Sequence, residues 1–120
     1  MIEKVAFTVY PVQDATRARA FYEQTLGLTR GKAAPNGTWT EYDLPGGGCL
    51  ALYQTTDLKP SADSGGSIAL EVADLDALIT KLKAAGVGFK NESIESPVCR
   101  MAVALDSEGN AFILHQLHKK

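Results

Sequence analysis

The side chains able to do chemistry are few in this sequence, and they are scattered. Cys49 and Cys99 form neither a Cys-x-x-Cys pair nor part of a Cys/His zinc spacing, so they read as free thiols suited to a reducing compartment. Arg100 follows Cys99, and a neighbouring cation activates a thiol, but adjacent residues of a strand point to opposite faces. Arg100 can instead clamp a carboxylate or phosphate, or bridge to a surface acid. His115 and Glu71 are proton carriers or hydrogen-bonding groups, Lys4 offers an ammonium, and His118 belongs to a polar tail. Trp39, Glu41 and Tyr42 lie together on one strand-like run, where an aromatic with a polar handle walls a small-molecule site or fills a dimer interface. The Gly46-Gly47-Gly48 run is a hairpin turn and not a phosphate loop, because neither Gly-Lys-Ser/Thr nor a helix follows it.

The frame that must position these groups is small. A chain of 120 residues holds one domain with one core, too small for a large private cavity. The net charge is −2, and the basic residues cluster only at Lys119-Lys120, which argues against nucleic acid or anionic membrane as partners. No apolar run reaches the roughly 18 residues of a membrane span. The N-terminus enters a strand-like pattern directly, Val5 to Val9, without the layout of a signal peptide. A cytoplasmic protein is expected.

The chain also repeats itself. Lys4-Val5-Ala6-Phe7-Thr8-Val9 aligns with Ser67-Ile68-Ala69-Leu70-Glu71-Val72 at an offset of 63, and both alternate as strands do. A helix follows each. Asp14 caps the first, with Ala18, Phe21, Tyr22 and Leu26 on its apolar stripe and Gly27 as its stop. Asp74 caps the second, with Leu75, Leu78, Ile79 and Leu82 at helical spacing and Gly86 at its end. Three strand-like runs come after each helix: Leu28 to about Lys32, Thr38–Leu44 and Cys49–Gln54 in the first half, then Val87 to about Ile94, Val98–Leu105 and Ala111–Leu117 in the second. The pattern is an α+β fold of two tandem βαβββ units, repeat 1 over about 1–54 and repeat 2 over about 67–118, joined by a Pro/Ser/Gly linker over 55–66. A ferredoxin-like sandwich has too few strands for it.

Two motifs carry a family resemblance. Ala20-Phe21-Tyr22 with the exit Leu26-Gly27-Leu28, after a first strand, resembles the opening of the vicinal-oxygen-chelate superfamily of glyoxalases, bleomycin-resistance proteins and ring-cleaving dioxygenases. Asp106-Ser107-Glu108-Gly109-Asn110 before an apolar strand resembles that family's Asp-Pro-Asp-Gly-Asn turn. The resemblance implies a curved mixed sheet around a cup, helices on the outer face, and four inward ligand positions in the metal-dependent members. These fall on Lys4, Ala51, Ser67 and Ile113, of which only Ser67 has a conventional oxygen donor, so a protein without metal or other cofactor is expected.

With those positions inward, alternation turns Lys4, Ala6, Thr8, Cys49, Ala51, Tyr53, Ser67, Glu71 and His115 toward the cup, and sends Val5, Phe7, Val9, Ile68, Leu70 and Leu114 to the helices. Candidate ligand-binding residues are therefore Lys4, Thr8, Trp39, Glu41, Tyr53, Ser67, Glu71, Arg100 and His115, and the catalytic candidates are His115, Glu71 and Lys4. Lys4 either binds an anionic ligand, pairs with Glu71 or snorkels to water. The resemblance implies a small-molecule-binding homodimer. The alternatives are a glyoxalase-like lyase, isomerase or dioxygenase, and an interaction module whose cup is filled by side chains.

Overall fold

The computed structural model describes residues 1–118, so the Lys119-Lys120 pair lies outside the described residues. The chain divides into two compact units, with the boundary between Pro60 and Ser61. Each unit builds its own mixed sheet and lays one helix against it, an α+β architecture used twice.

In the first unit, strand β1 (Thr8–Val12) runs parallel to β3 (Cys49–Gln54), and β2 (Trp39–Asp43) pairs antiparallel to β3, in the order β1-β3-β2. Helix α1 (Ala15–Ala20) continues into a π-helical turn over Phe21–Thr25, and Gly27 leaves it with φ of 77°, a left-handed position that suits glycine. Tyr10, Val12, Tyr42, Leu50 and Leu52 are buried on the sheet face that meets Ala15, Ala18 and Tyr22 of the helix. The Tyr22 and Tyr42 rings stack there at 6.3 Å. Each such apolar side chain withdrawn from water stabilises the unit by roughly 1.5–3 kcal/mol.

In the second unit, β4 (Ala69–Glu71) runs parallel to β7 (Ala111–Leu117), and β6 (Cys99–Leu105) lies between β7 and β5 (Phe89–Glu95), in the order β4-β7-β6-β5. Helix α2 (Leu75–Ala84) packs on β7, burying Leu75 and Leu82 near Phe112 and Leu114. The turn into β7 is held by its own side chains. Asp106 Oδ1 accepts the N–H groups of Glu108 at 2.8 Å and Asn110 at 2.9 Å, and Asn110 Oδ1 accepts from the Ser61 N–H at 3.1 Å. Asp106 and Asn110 are buried polar residues for this reason.

Two expectations need correction. No continuous strand forms over Leu28 to Lys32. The segment runs beside β2 through Gly31 N–H to Glu41 O (2.8 Å), Glu41 N–H to Lys32 O (2.7 Å) and one bridge, Ala33 to Thr40. Gly31 permits that approach, since a Cβ there would stand 3.3 Å from the Glu41 carbonyl oxygen.

The second correction concerns register. The first strand spans Thr8–Val12, and the two units repeat at an offset of 60 residues, three fewer than the 63 of the sequence match. The caps Asp14 and Asp74 are equivalent, 60 residues apart, and Val12 and Val72 precede them at the same distance. Thr8 therefore pairs with Leu50 and shares the core-facing parity of Tyr10, while Val9 pairs with Ala51 on the opposite face. A parity error of this kind exchanges the two faces of a strand completely.

Candidate functional site

The register defines what stands on the sheet face away from the helix in each unit. In the first unit, Trp39 pairs directly with Tyr53, Glu41 with Ala51, and Ala51 with Val9, so all five share one face. The Trp39 and Tyr53 rings lie 5.7 Å apart, and Phe7, just before β1, places its ring edge-on to Trp39 at 5.3 Å and 86°. Trp39 Nε1–H donates to Glu41 Oε2 at 2.9 Å, which fixes the indole. Ala51 is fully buried between these larger groups, whereas Phe7 is 46% exposed and Trp39 and Tyr53 are partly open. Three aromatic rings on one face, partly wet and held by their own contacts, form a platform for a flat apolar molecule.

Cys49 and Asp43 lie at the end of the same face, paired across β2 and β3. Burial pushes the Cys49 thiol up from its ordinary value, and the charges of Glu41 and Asp43 push it further, so the thiol stays protonated and inert. Cys49 is only partly buried, whereas Cys99 is buried, with Ser96 Oγ 3.1 Å from its sulfur.

In the second unit, the places of Val9, Tyr53 and Ala51 are taken by Ala69, His115 and Ile113. Glu71 pairs with His115 in the sheet, and its Oε1 lies 2.5 Å from His115 Nδ1 while Oε2 accepts the Leu117 N–H at 2.9 Å. The backbone N–H of Leu117, and then the hydrogen bond from His115, hold the Glu71 carboxyl below the usual carboxylate range. The side chains are 25% exposed for His115 and 55% for Glu71, so the dyad stands at a solvent edge. Ser67 and Ile113 line a hollow of about 560 Å³ on this face, with Val103, Ala111 and Lys90. A hollow of about 660 Å³ in the first unit is lined by Gln54, Thr55, Leu58 and Pro60 at the linker end, and no aromatic side chain lines it.

Other candidates are committed elsewhere. Arg100 Nη1 lies 3.0 Å from Asp76 of α2, and its Nε makes an ion-pair contact with Glu95 at 2.9 Å outside hydrogen-bonding geometry. It stands on the parity of Gln116, opposite to that of His115. Lys4 is exposed and precedes the first strand, and the Glu71 carboxylate takes His115 and Leu117 as its partners. Thr8 stands on the parity of the core. Phe7, assigned from the sequence to the helix side, belongs to the aromatic face, and Asp43 joins it. Counting from strand to cap finds Phe7, because Phe7 precedes Asp14 by the interval that separates Ser67 from Asp74, and alternation from Trp39 and Glu41 finds Asp43.

The same count moves the first metal-ligand place from Lys4 to Phe7. The four places then hold Phe7, Ala51, Ser67 and Ile113, with one hydroxyl as the sole conventional donor, and among the described residues no group of three or more His, Cys, Asp or Glu side chains is arranged to hold a metal. These residues do not fit a divalent ion. Among the described residues no helix is long and apolar enough to cross a membrane.

Comparison with known proteins places this architecture. The family model of the Glyoxalase/Bleomycin resistance protein/Dioxygenase superfamily matches residues 4–114, so the chain belongs to that superfamily. It is 30% identical over 110 residues to the anthracycline biosynthesis protein DauV of a Streptomyces species, covering 88% of this chain and 38% of that protein. The chain thus spans well under half the length of that relative. Among solved structures, a superfamily member from Sphaerobacter thermophilus superposes with a TM-score of 0.79 at 28% identity, covering 96% of this chain and 98% of that one. TnmS3, an antibiotic binding protein from a Streptomyces species, superposes with a TM-score of 0.80 at 24% identity, covering 98% of both chains.

Proposed function

We propose that this protein binds a small molecule carrying a planar aromatic or apolar group, laid against the Phe7, Trp39 and Tyr53 face, and that it does so without metal. The observation that carries the reading is the partly open trio of rings around the hydrogen-bonded indole of Trp39. The donor-poor ligand positions support the metal-free part. The description of TnmS3 as an antibiotic binding protein and the naming of DauV for anthracycline biosynthesis agree with a polycyclic ligand. Aromatic contacts of this kind contribute about 0.5–1.5 kcal/mol each beyond area burial. Trp39 is the only tryptophan of the sequence, so its fluorescence reports on this face alone. Titration with an uncharged hydroxyanthraquinone is expected to quench it saturably, with affinity falling about tenfold in Tyr53→Ala. Linear, non-saturating quenching would defeat the proposal. In this reading the protein is a cytoplasmic homodimer, the commonest closed assembly, and a monomer mass in light scattering at micromolar concentration would remove the dimer.

A second reading, as an enzyme, draws on the Glu71–His115 dyad. A carboxylate accepting Nδ1–H leaves Nε2 of the imidazole as a proton acceptor, the arrangement of a general base. Deuterium uptake from D2O into the methyl group of an aryl methyl ketone, faster than with free imidazole and lost in His115→Gln, supports this reading. Equal rates in both proteins dismiss it.

A further inference from the structure

We propose that the aromatic face of the first unit selects a cation, so that its ligand is an aromatic small molecule bearing an ammonium group seated between the Trp39 ring and the carboxylates of Glu41 and Asp43. This rests on the reading that the face is a ligand site, and it adds the sign of the ligand's charge.

The charge follows from what the three strands contain. Thr8–Val12, Trp39–Asp43 and Cys49–Gln54 hold no lysine or arginine, so the sheet itself supplies no positive charge. They hold two acidic residues, Glu41 and Asp43, and both stand on the parity of Trp39. Glu41 is not a freely swinging surface acid. The Trp39 Nε1–H bond ties Oε2 beside the indole at 2.9 Å, and among the described residues no basic side chain pairs with Glu41 or Asp43. Their charges converge on one place, since both act on the Cys49 thiol at the end of the face.

An indole face is the aromatic surface that attracts cations best, through the negative potential above its ring. With a carboxylate fixed at its rim, the ring and the acid attract the same ammonium, one through dispersion and quadrupole and the other through charge. A carboxylate or phosphate ligand would meet two negative charges here with no guanidinium or ammonium from the sheet to offset them. Lys4, which precedes the strands, and Lys32, whose carbonyl accepts the Glu41 N–H in the segment beside β2, are both exposed, and neither makes an ion pair with Glu41 or Asp43.

Three naphthalenes of nearly equal shape test it: 2-naphthylmethylammonium, 2-naphthylmethanol and 2-naphthoate, titrated calorimetrically at pH 7 and low salt into the wild-type protein, Glu41→Gln and Asp43→Asn. Glutamine keeps an acceptor for the Trp39 indole while removing the charge, and circular dichroism verifies that each variant is folded. The wild type is expected to bind the ammonium about tenfold more tightly than the alcohol, with naphthoate the weakest. In Glu41→Gln the ratio of ammonium to alcohol affinity is expected to fall to within about twofold, and Asp43→Asn is expected to lower it part of the way. Equal affinity of the wild type for ammonium and alcohol, or tightest binding of naphthoate, overturns the cation assignment and leaves the aromatic face standing as a site. A preference unchanged in both variants also overturns it. Failure of all three compounds to bind removes the site and the assignment together.

Discussion

Gln54 and Gln116 perform the same task in the two units: the side-chain Oε1 of each accepts, at 2.7 Å, the N–H of the first residue of the helix, Ala15 in one unit and Leu75 in the other. Asp14 and Asp74 complete each end by accepting the N–H of Arg17 and Ala77 at 3.0 Å. Two of the four orphan donors at each helix start are satisfied in this way, one from the last strand of the unit and one locally. Gln54→Ala and Gln116→Ala should each lower stability by about 1–2 kcal/mol, the cost of a part-buried N–H left unpaired. Asp14→Ala and Asp74→Ala should each cost about 1 kcal/mol. Urea unfolding midpoints measure both, and midpoints unmoved by either glutamine change would refute the shared role.

The buried Tyr42 hydroxyl donates to Glu23 Oε2 at 2.8 Å, and Arg30 grips the same carboxylate through Nε at 2.7 Å and Nη2 at 3.1 Å. Arg30 above all, with Tyr42, holds the Glu23 carboxyl below its ordinary value against the opposing effect of burial. Burial, then the hydrogen bond to Glu23, pushes the Tyr42 phenol up. The signs follow. The Glu23 contribution is complete above the usual carboxylate range and is lost as pH falls through the lowered folded value. The Tyr42 contribution is complete below the usual phenol range and is lost as pH rises toward the raised one. Tyr42→Phe should cost about 1.5 kcal/mol at neutral pH, the lower end for a hydrogen bond to a charged group, and should flatten the alkaline limb of stability against pH. An unchanged alkaline limb would contradict this.

The Glu71–His115 pair makes a spectroscopic prediction. Long-range 15N–1H correlation spectra should show His115 at neutral pH with Nδ1 protonated toward Glu71. The Leu117 amide, which donates to the other carboxylate oxygen, should shift only as pH falls below the usual carboxylate range, because Glu71 is held down by that N–H and by His115. The contribution of the pair is therefore present above that range and lost below it. A Leu117 titration centred within the usual range would contradict the arrangement.

Most of the fold was legible in the sequence because helix ends announce themselves. Asp14, Gly27, Asp74 and Gly86 mark both helices, and alternation marks six of the seven strands to within two residues at each end, all but the first. The segment over 28–32 was not legible as an edge without strand regularity, since its course depends on the close approach of Gly31 to Glu41 across the hairpin. The face of the first strand was misread because Ala6/Ala69 and Val9/Val72 match by identity, whereas the chain is held in register by the distance from strand to cap. That three-residue displacement hid Phe7. Trp39, Glu41 and Tyr42 stood out together on one strand, but alternation divides them: Tyr42 is buried against Tyr22 in the core, while Trp39 and Glu41 share the opposite face with Tyr53. The Glu71–His115 contact joins residues 44 apart, and the sequence showed only that the two share a face.

The central claim, a flat ligand on the Phe7–Trp39–Tyr53 face, is tested most directly by the single indole N–H resonance of Trp39 in a 15N–1H correlation spectrum. Addition of an uncharged hydroxyanthraquinone should move that resonance saturably, together with the amides of Tyr53 and Ala51, while the Leu82 and Phe112 amides of the second core stay in place. An indole resonance that does not move at saturating ligand, or moves no more than those core amides, would contradict the account.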